Sequence, residues 1–191
     1  MTTAPDPRSM RERMDAGDLY IPDDPELWQA MDAAQRLASE YNSTTVDSRE
    51  RRHQILNELL GSWSHDSEIR PPFYVDYGRN LTIGKRFFAN YGFVALDVAA
   101  ITIGDDVQCG PNVQLLTPTH PIDPELRRAK WESAAPIVIA DNVWLGGGAI
   151  VLGGVSIGAN SVVGAGAVVT RDVPANTVVV GSPARVVRTI E

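Results

Sequence analysis

The feature that most restricts this chain is a period of six. Ile139, Leu145, Val151, Ile157, Val163 and Val169 open six successive units, each with Gly, Ala, Leu or Thr next and a small or β-branched residue at the fifth position. Ile103, Cys109 and Leu115 open an earlier block, and Tyr77, Ile83, Ala89 and Ala95 one before it, with the frame slipping by two residues at Ile101. A six-residue unit is one short strand plus a tight corner, and three units close a triangular coil whose interior is stacked aliphatic side chains. A sandwich of half-buried strands would alternate with period two instead. The expected fold is therefore mainly β, a parallel solenoid over most of residues 77–174. In such a rod each coil buries its first-position side chain against its neighbours, stability is close to a sum of nearest-neighbour contributions, and the ends need covers. Each buried Val or Ile contributes roughly 1.5 to 3 kcal/mol.

Before residue 70 the period is helical. Ser9 and Glu12 have capping-box spacing for a short helix ending near Gly17. Asp24-Pro25 reads as N-cap and first helical position ahead of Leu27, Met31, Ala34, Ala38 and Tyr41. Asp47 and Glu50 repeat the cap signal ahead of Ile55, Leu56, Leu59 and Leu60, with Gly61 as the stop. The chain of 191 residues thus divides into a helical cap segment, 1–70, and a solenoid with a C-terminal tail, 71–191, forming one structural unit. One stretch breaks the repeat: residues 121–136, PIDPELRRAKWESAAP, read as a loop thrown out of a corner, a common place for function on a rigid scaffold. A net charge of −7 argues against a nucleic-acid surface. Cys109 is the single cysteine, which excludes an intrachain disulfide and suits a reducing compartment. The N-terminus lacks an apolar targeting core and no run of about 18 apolar residues occurs, so the expected setting is cytoplasmic, without a membrane partner.

Several local motifs add to the repeat: Ala16-Gly17 with Leu19-Tyr20, Tyr41-Asn42, Asp76-Tyr77-Gly78, Phe88-Ala89-Asn90, Leu96-Asp97-Val98, Thr119-His120-Pro121, Asn142-Val143-Trp144 and Gly181-Ser182-Pro183-Ala184-Arg185. In this order and spacing they resemble the hexapeptide-repeat acyltransferases, and within them the maltose and galactoside O-acetyltransferase group. The resemblance implies a left-handed parallel β-helix, acetyl-CoA as co-substrate with no metal, and a homotrimer with its active sites between subunits. General crossover rules favour the opposite hand, so the left hand is implied by the family alone.

O-acetylation requires a base to take the proton of an alcohol that attacks a thioester, a task suited to a neutral imidazole near pH 7. Of the three histidines, His53 and His65 lie in polar surroundings and read as solvated, whereas His120 sits at the start of the inserted loop and matches the family's catalytic Thr-His-Pro. Cys109 falls at an inward hexad position, where a thiol is inert. By family matching, the acceptor contacts are Asp76, Asn90, Asp97, Trp144 and either Asp23 or Asp24. The CoA contacts are Gly147, Ala165, Thr170, Arg171, Arg185 and Arg188. Small residues leave room for a pantetheine arm, and arginine forks suit phosphate oxygens. Trp131 is placed to close over a neighbouring site. The acid-rich acceptor set leans toward a sugar or glycoside hydroxyl; an antibiotic, amine or natural product is the alternative acceptor, and a non-catalytic assembly solenoid the alternative class. A zinc enzyme on such a rod would need three histidines on the coils, where only His120 lies.

Overall fold

The structure is a computed structural model that describes residues 6–191; the first residues of the N-terminal reading, 1–5, lie outside it. Its body is a triangular prism with three parallel sheets as faces. The first face stacks six successive strands, Glu68–Ile69, Phe88–Ala89, Gln108–Cys109, Trp144–Leu145, Val162–Val163 and Thr177–Val180, and ends in an antiparallel seventh, Arg185–Thr189. The second face stacks Phe73–Val75, Phe93–Leu96, Gln114–Leu116, Ile150–Leu152 and Val168–Val169. The third stacks Leu81–Ile83, Ile101–Ile103, Ile137–Ile139 and Ser156–Ile157.

The period of six places the same hexad position at the same height in every coil. Ala89 pairs with Cys109, Cys109 with Leu145, Leu145 with Val163 and Val163 with Val179, all of them buried. The recurrent second-position glycine answers to close approach of the next coil: a Cβ on Gly146 would stand 2.6 Å from the Ala165 nitrogen. On the edge between the third and first faces the corners need positive φ, which Asn142, Asn160 and Asn176 supply at 57 to 60°. Their side-chain amides form a ladder, Asn142 Nδ2 donating to Asn160 Oδ1 and Asn160 Nδ2 to Asn176 Oδ1, each at 2.9 Å.

The two-residue slip of the frame is a wider corner between the second and third faces, at 76–80 and 96–100. Asp97, fully buried, holds it: its carboxylate accepts backbone N–H groups from Asp76 (3.1 Å), Tyr77 (2.8 Å) and Asn80 (3.1 Å). Thr117 braces the second such corner, accepting from the Ala99 nitrogen at 3.0 Å and donating to the Leu96 carbonyl at 2.6 Å.

Three helices cover the first coil. The short α1, Met10–Asp15, has the expected Ser9–Glu12 capping box. Helix α2, Pro25–Asn42, starts from an Asp24 cap. It then serves the exposed strand edge of the first coil: Asn42 donates to the Phe73 carbonyl and accepts from its nitrogen, both at 2.8 Å, and Gln35 donates to the Val75 carbonyl at 2.8 Å. Helix α3, Arg49–Leu59, departs from expectation at both ends. Ser48, not Asp47, is its N-cap and makes no side-chain bond, and Leu60 is its C-cap. Gly61 is required for another reason, since a Cβ there would lie 2.2 Å from the Arg79 carbonyl oxygen. Ala34, Ala38, Tyr41, Ile55, Leu56 and Leu59 join one core that runs through the prism to Val179. The solenoid also begins earlier than residue 71, because Glu68–Ile69 already pairs with Phe88–Ala89.

Candidate active site

The inserted segment is more ordered than its composition suggests. Its stem is a two-stranded antiparallel ladder, Thr119 opposite Ser133 and Pro118 opposite Ala134. A one-turn helix, α4 (Pro124–Arg128), follows, with the Asp123 carboxylate accepting from the Glu125 and Leu126 nitrogens at 2.9 Å. The N-terminal segment clamps the far side. Tyr20 and Glu132 exchange both backbone hydrogen bonds at 3.0 Å, Lys130 is ion-paired with Asp23, and the Arg13 guanidinium lies 4.9 Å over the Trp131 ring. Trp131 is thus half-buried, with Arg13 of its own chain over its ring.

His120 is the first residue beyond the ladder, and its side chain is 62% exposed. Its Nδ1 stands 3.7 Å from a Glu132 carboxyl oxygen, and the Glu132 side chain is only 12% exposed. The other Glu132 oxygen accepts the hydroxyl of Tyr20, which is buried. A gap of 3.7 Å exceeds a hydrogen bond, but such contacts often tighten only when substrate is bound. The imidazole therefore presents Nδ1 to an acid while most of its side chain is exposed. Glu132 and Tyr20 were not among the sequence-predicted site residues. Glu132 lies in a stretch with no periodicity, and its role depends on a strand pairing across 112 residues.

Asp76 sits half-buried in the same region. Burial, followed by the charges of Asp97 and Glu132, pushes its carboxyl up to about 6. Asp97 does not face an acceptor directly: it is fully buried and its oxygens are occupied by backbone amides, so its part is to hold the corner that carries Asp76. Asp24 caps α2, accepting from the Glu26 nitrogen at 2.9 Å, whereas Asp23 faces the insert through Lys130.

Four of the remaining predicted residues fall on or beside a different edge. Asn90, Gly147 and Ala165 occupy corners between the first and second faces, and Trp144 projects from the first face, 56% exposed. Asn90 is half-buried, with its side-chain oxygen accepting from the Tyr91 nitrogen at 2.8 Å. Thr170 and Arg171 lie on the His120 edge. Arg171 and Arg185 line a groove of about 170 Å³ at the C-terminal end; Arg188, opposite Val178, does not. One chain therefore gathers His120, Asp76, Thr170 and Arg171 on one edge and Asn90, Trp144, Gly147 and Ala165 on or beside another.

His65 is exposed, as expected, and His53 is half-buried. Their Nδ1 atoms are 3.0 Å apart and both rings pack beside Trp63. Cys109 is buried as expected, and burial pushes its thiol far up, out of the reactive range.

Comparison with known proteins agrees with this geometry. Residues 13–64 match a maltose acetyltransferase hexapeptide capping motif and residues 136–171 a bacterial transferase hexapeptide of six repeats. A maltose O-acetyltransferase structure from Clostridium difficile 630 is 43% identical, covers 97% of this chain and all of its own, and superposes with a TM-score of 0.94. The chain belongs to the maltose and galactoside O-acetyltransferase group of hexapeptide-repeat enzymes. A galactoside acetyltransferase structure in complex with coenzyme A is similar at 37% identity, covering 96% of this chain and 92% of that one, with a TM-score of 0.93. Nodulation protein L of Rhizobium meliloti is 50% identical over 94% of this chain and 98% of its own. As a member of this group the protein is an acyltransferase of the acetyl-transferring type. Among the described residues no helix is long and apolar enough to cross a membrane.

Proposed function

We propose that the protein transfers an acetyl group from acetyl-CoA to a hydroxyl of a sugar or glycoside, with His120 as general base. The observation that carries this reading is the placement of His120: an exposed imidazole at the root of an ordered insert, with Nδ1 facing the sheltered Glu132 carboxyl. Nε2 takes the proton of the acceptor hydroxyl as its oxygen attacks the thioester carbonyl. The tetrahedral intermediate collapses with cleavage of the C–S bond, and the proton on Nε2 passes to the departing thiolate. Glu132, held by the Tyr20 hydroxyl, orients the ring and faces the imidazolium while it exists. Asp76, whose carboxyl is pushed up to about 6 by burial and then by the charges of Asp97 and Glu132, is suited to bonding acceptor hydroxyls.

Acetyl-CoA is the donor this fold is suited to take. The CoA complex of the related galactoside acetyltransferase supports that choice. Gly147 and Ala165 leave an edge free of bulky side chains for the pantetheine arm, and Arg171 and Arg185 offer guanidinium groups to its phosphates.

A trimer completes the site. The second face lies between the two edges that carry its halves, and its outward side chains are Tyr74, Val94, Gln114, Ile150 and Val168, with Leu96, Leu116 and Leu152 beside them, apolar apart from Gln114. The third face instead turns Thr82, Thr102 and Ser156 outward, with Val138 the one apolar side chain among them. Three copies packed through their second faces around an axis would bring the His120 edge of one against the Asn90 edge of the next, a heterologous contact that closes into a ring. Thiol release from acetyl-CoA, measured across maltose, glucosides, galactosides and amino acceptors, tests the reading. Sugar hydroxyls are expected to support turnover, and His120→Ala to lower kcat/KM at least about 10²-fold. Near-normal turnover by that variant would reject the base, and turnover with amines alone would reject the acceptor.

A further inference from the structure

A cavity of about 560 Å³ lies away from His120, between α3 and the first coil, and the acetyl transfer makes no use of it. This size is within the range of small-molecule pockets. Three arginines line it, Arg49, Arg52 and Arg70, against two carboxylates, Asp66 and Glu68. Both carboxylates are engaged: Asp66 accepts from the Arg86 nitrogen at 3.1 Å, and Glu68 pairs with Arg70 at 3.4 Å. Among the described residues, Arg49 and Arg52 have no carboxylate within ion-pairing distance, unlike Arg51 with Glu40 or Arg86 with Asp106.

The arrangement is built, not loose. Arg52 donates from Nε to the Thr44 hydroxyl at 2.7 Å and from Nη2 to the Thr44 carbonyl at 3.4 Å, which fixes the fork and leaves Nη1 for another partner. An aromatic cluster adjoins the arginines: His53, on the same helix, and His65 join at 3.0 Å, His53 meets Trp63 edge-on at 5.1 Å, and Trp63 Nε1 donates to Asn57 at 2.8 Å. Two uncompensated guanidinium groups gathered in one cleft of a protein with net charge −7 form a local site for an anion, and a fork is the geometry that grips an oxyanion.

We propose that this cleft binds a small organic oxyanion, its phosphate or carboxylate held by Arg49 and Arg52 and its planar or apolar body against Trp63 and His53. The site is independent of the acetyl-transfer reading. Phenyl phosphate and benzoate, titrated into the whole protein by calorimetry with histidine ring signals followed by NMR, distinguish the two anion chemistries. Saturable binding of at least one probe in the millimolar range or tighter is expected, moving the His53 and His65 signals and leaving His120 in place. Arg49→Ala, at an exposed position, weakens binding about tenfold, the scale of one charge-assisted bond, and Arg52→Gln does the same. Arg185→Ala, in the C-terminal groove, leaves it unchanged. Tighter phenyl phosphate binding assigns a phosphate ligand, and tighter benzoate binding a carboxylate. No saturable binding of either probe, movement of His120 alone, or undiminished binding by both Arg49→Ala and Arg52→Gln would overturn the proposal.

Discussion

Two edges of the prism, cut from the same repeat, are built in opposite ways. The edge that carries His120 is wide and polar: extra residues enter its corners, a buried carboxylate and a buried threonine gather the freed backbone amides, and a whole insert leaves and returns there. The edge that carries Gly147 and Ala165 is tight, and Gly110 and Gly146 let one coil lie against the next with no room for a Cβ. The contrast shows where a repeat can vary. Departure from the period is tolerated only where a polar side chain takes over the orphaned hydrogen bonds. That edge can then hold a catalytic group, while the tight edge offers a smooth channel wall.

If the wide edge depends on its clamp, Asp97→Ala is the most damaging substitution there. Three backbone amides, those of Asp76, Tyr77 and Asn80, lose their acceptor, at a cost of about 4 kcal/mol, and thermal denaturation should show that loss as a fall in Tm of about 10 °C. An unchanged midpoint would mean the corner closes without its carboxylate. On the tight edge Gly146→Val forces a side chain into the Ala165 backbone, with an expected cost of about 2 to 3 kcal/mol in the same measurement. A neutral result would show that the coils can part.

The smallest effect concerns Asp76. Its folded value of about 6 lies above the ordinary 3.8, so the folded state binds more protons than the unfolded one between about pH 4 and 6. Stability is lost as pH rises through that window. Asp76→Asn should therefore raise the unfolding free energy at pH 8, by about 2 kcal/mol or less, and the gain should fade by pH 4. A gain that is constant with pH would place the cost elsewhere.

How far the sequence could be read follows from the same contrast. Stacked aliphatics such as Leu145 and Val163 announce themselves, because burial repeats on a fixed period and nothing else produces that pattern. The slip at Ile101 was visible as a break, but its cause was not, since the acceptor that resolves it, Asp97, carries no periodic signature and reads equally as a turn residue or a ligand contact. The Asp24 cap and the Ser9 box were legible from local spacing, whereas Asp47 lost to Ser48 through a difference of one residue at a helix start. His120 stood out through its Thr-His-Pro setting at the insert. Glu132 did not, because its approach to His120 depends on Tyr20 pairing across the fold. The aromatic pairing of His53 with His65 and Trp63 was hidden for the same reason: the partners come from a helix and from the segment after it.

The central claim is that the two edges work together across copies, one chain lending His120 and the next its small-residue wall. Mixing two inactive variants tests it most directly: His120→Ala, and Ala165→Trp, which fills the wall at an exposed position. Unfolded together in equal amounts and refolded, they should recover about a quarter of wild-type activity, because one ordered neighbour pair in four then joins an intact His120 to an intact wall. Activity no higher than that of the separately refolded variants would contradict the account and confine each site to a single chain.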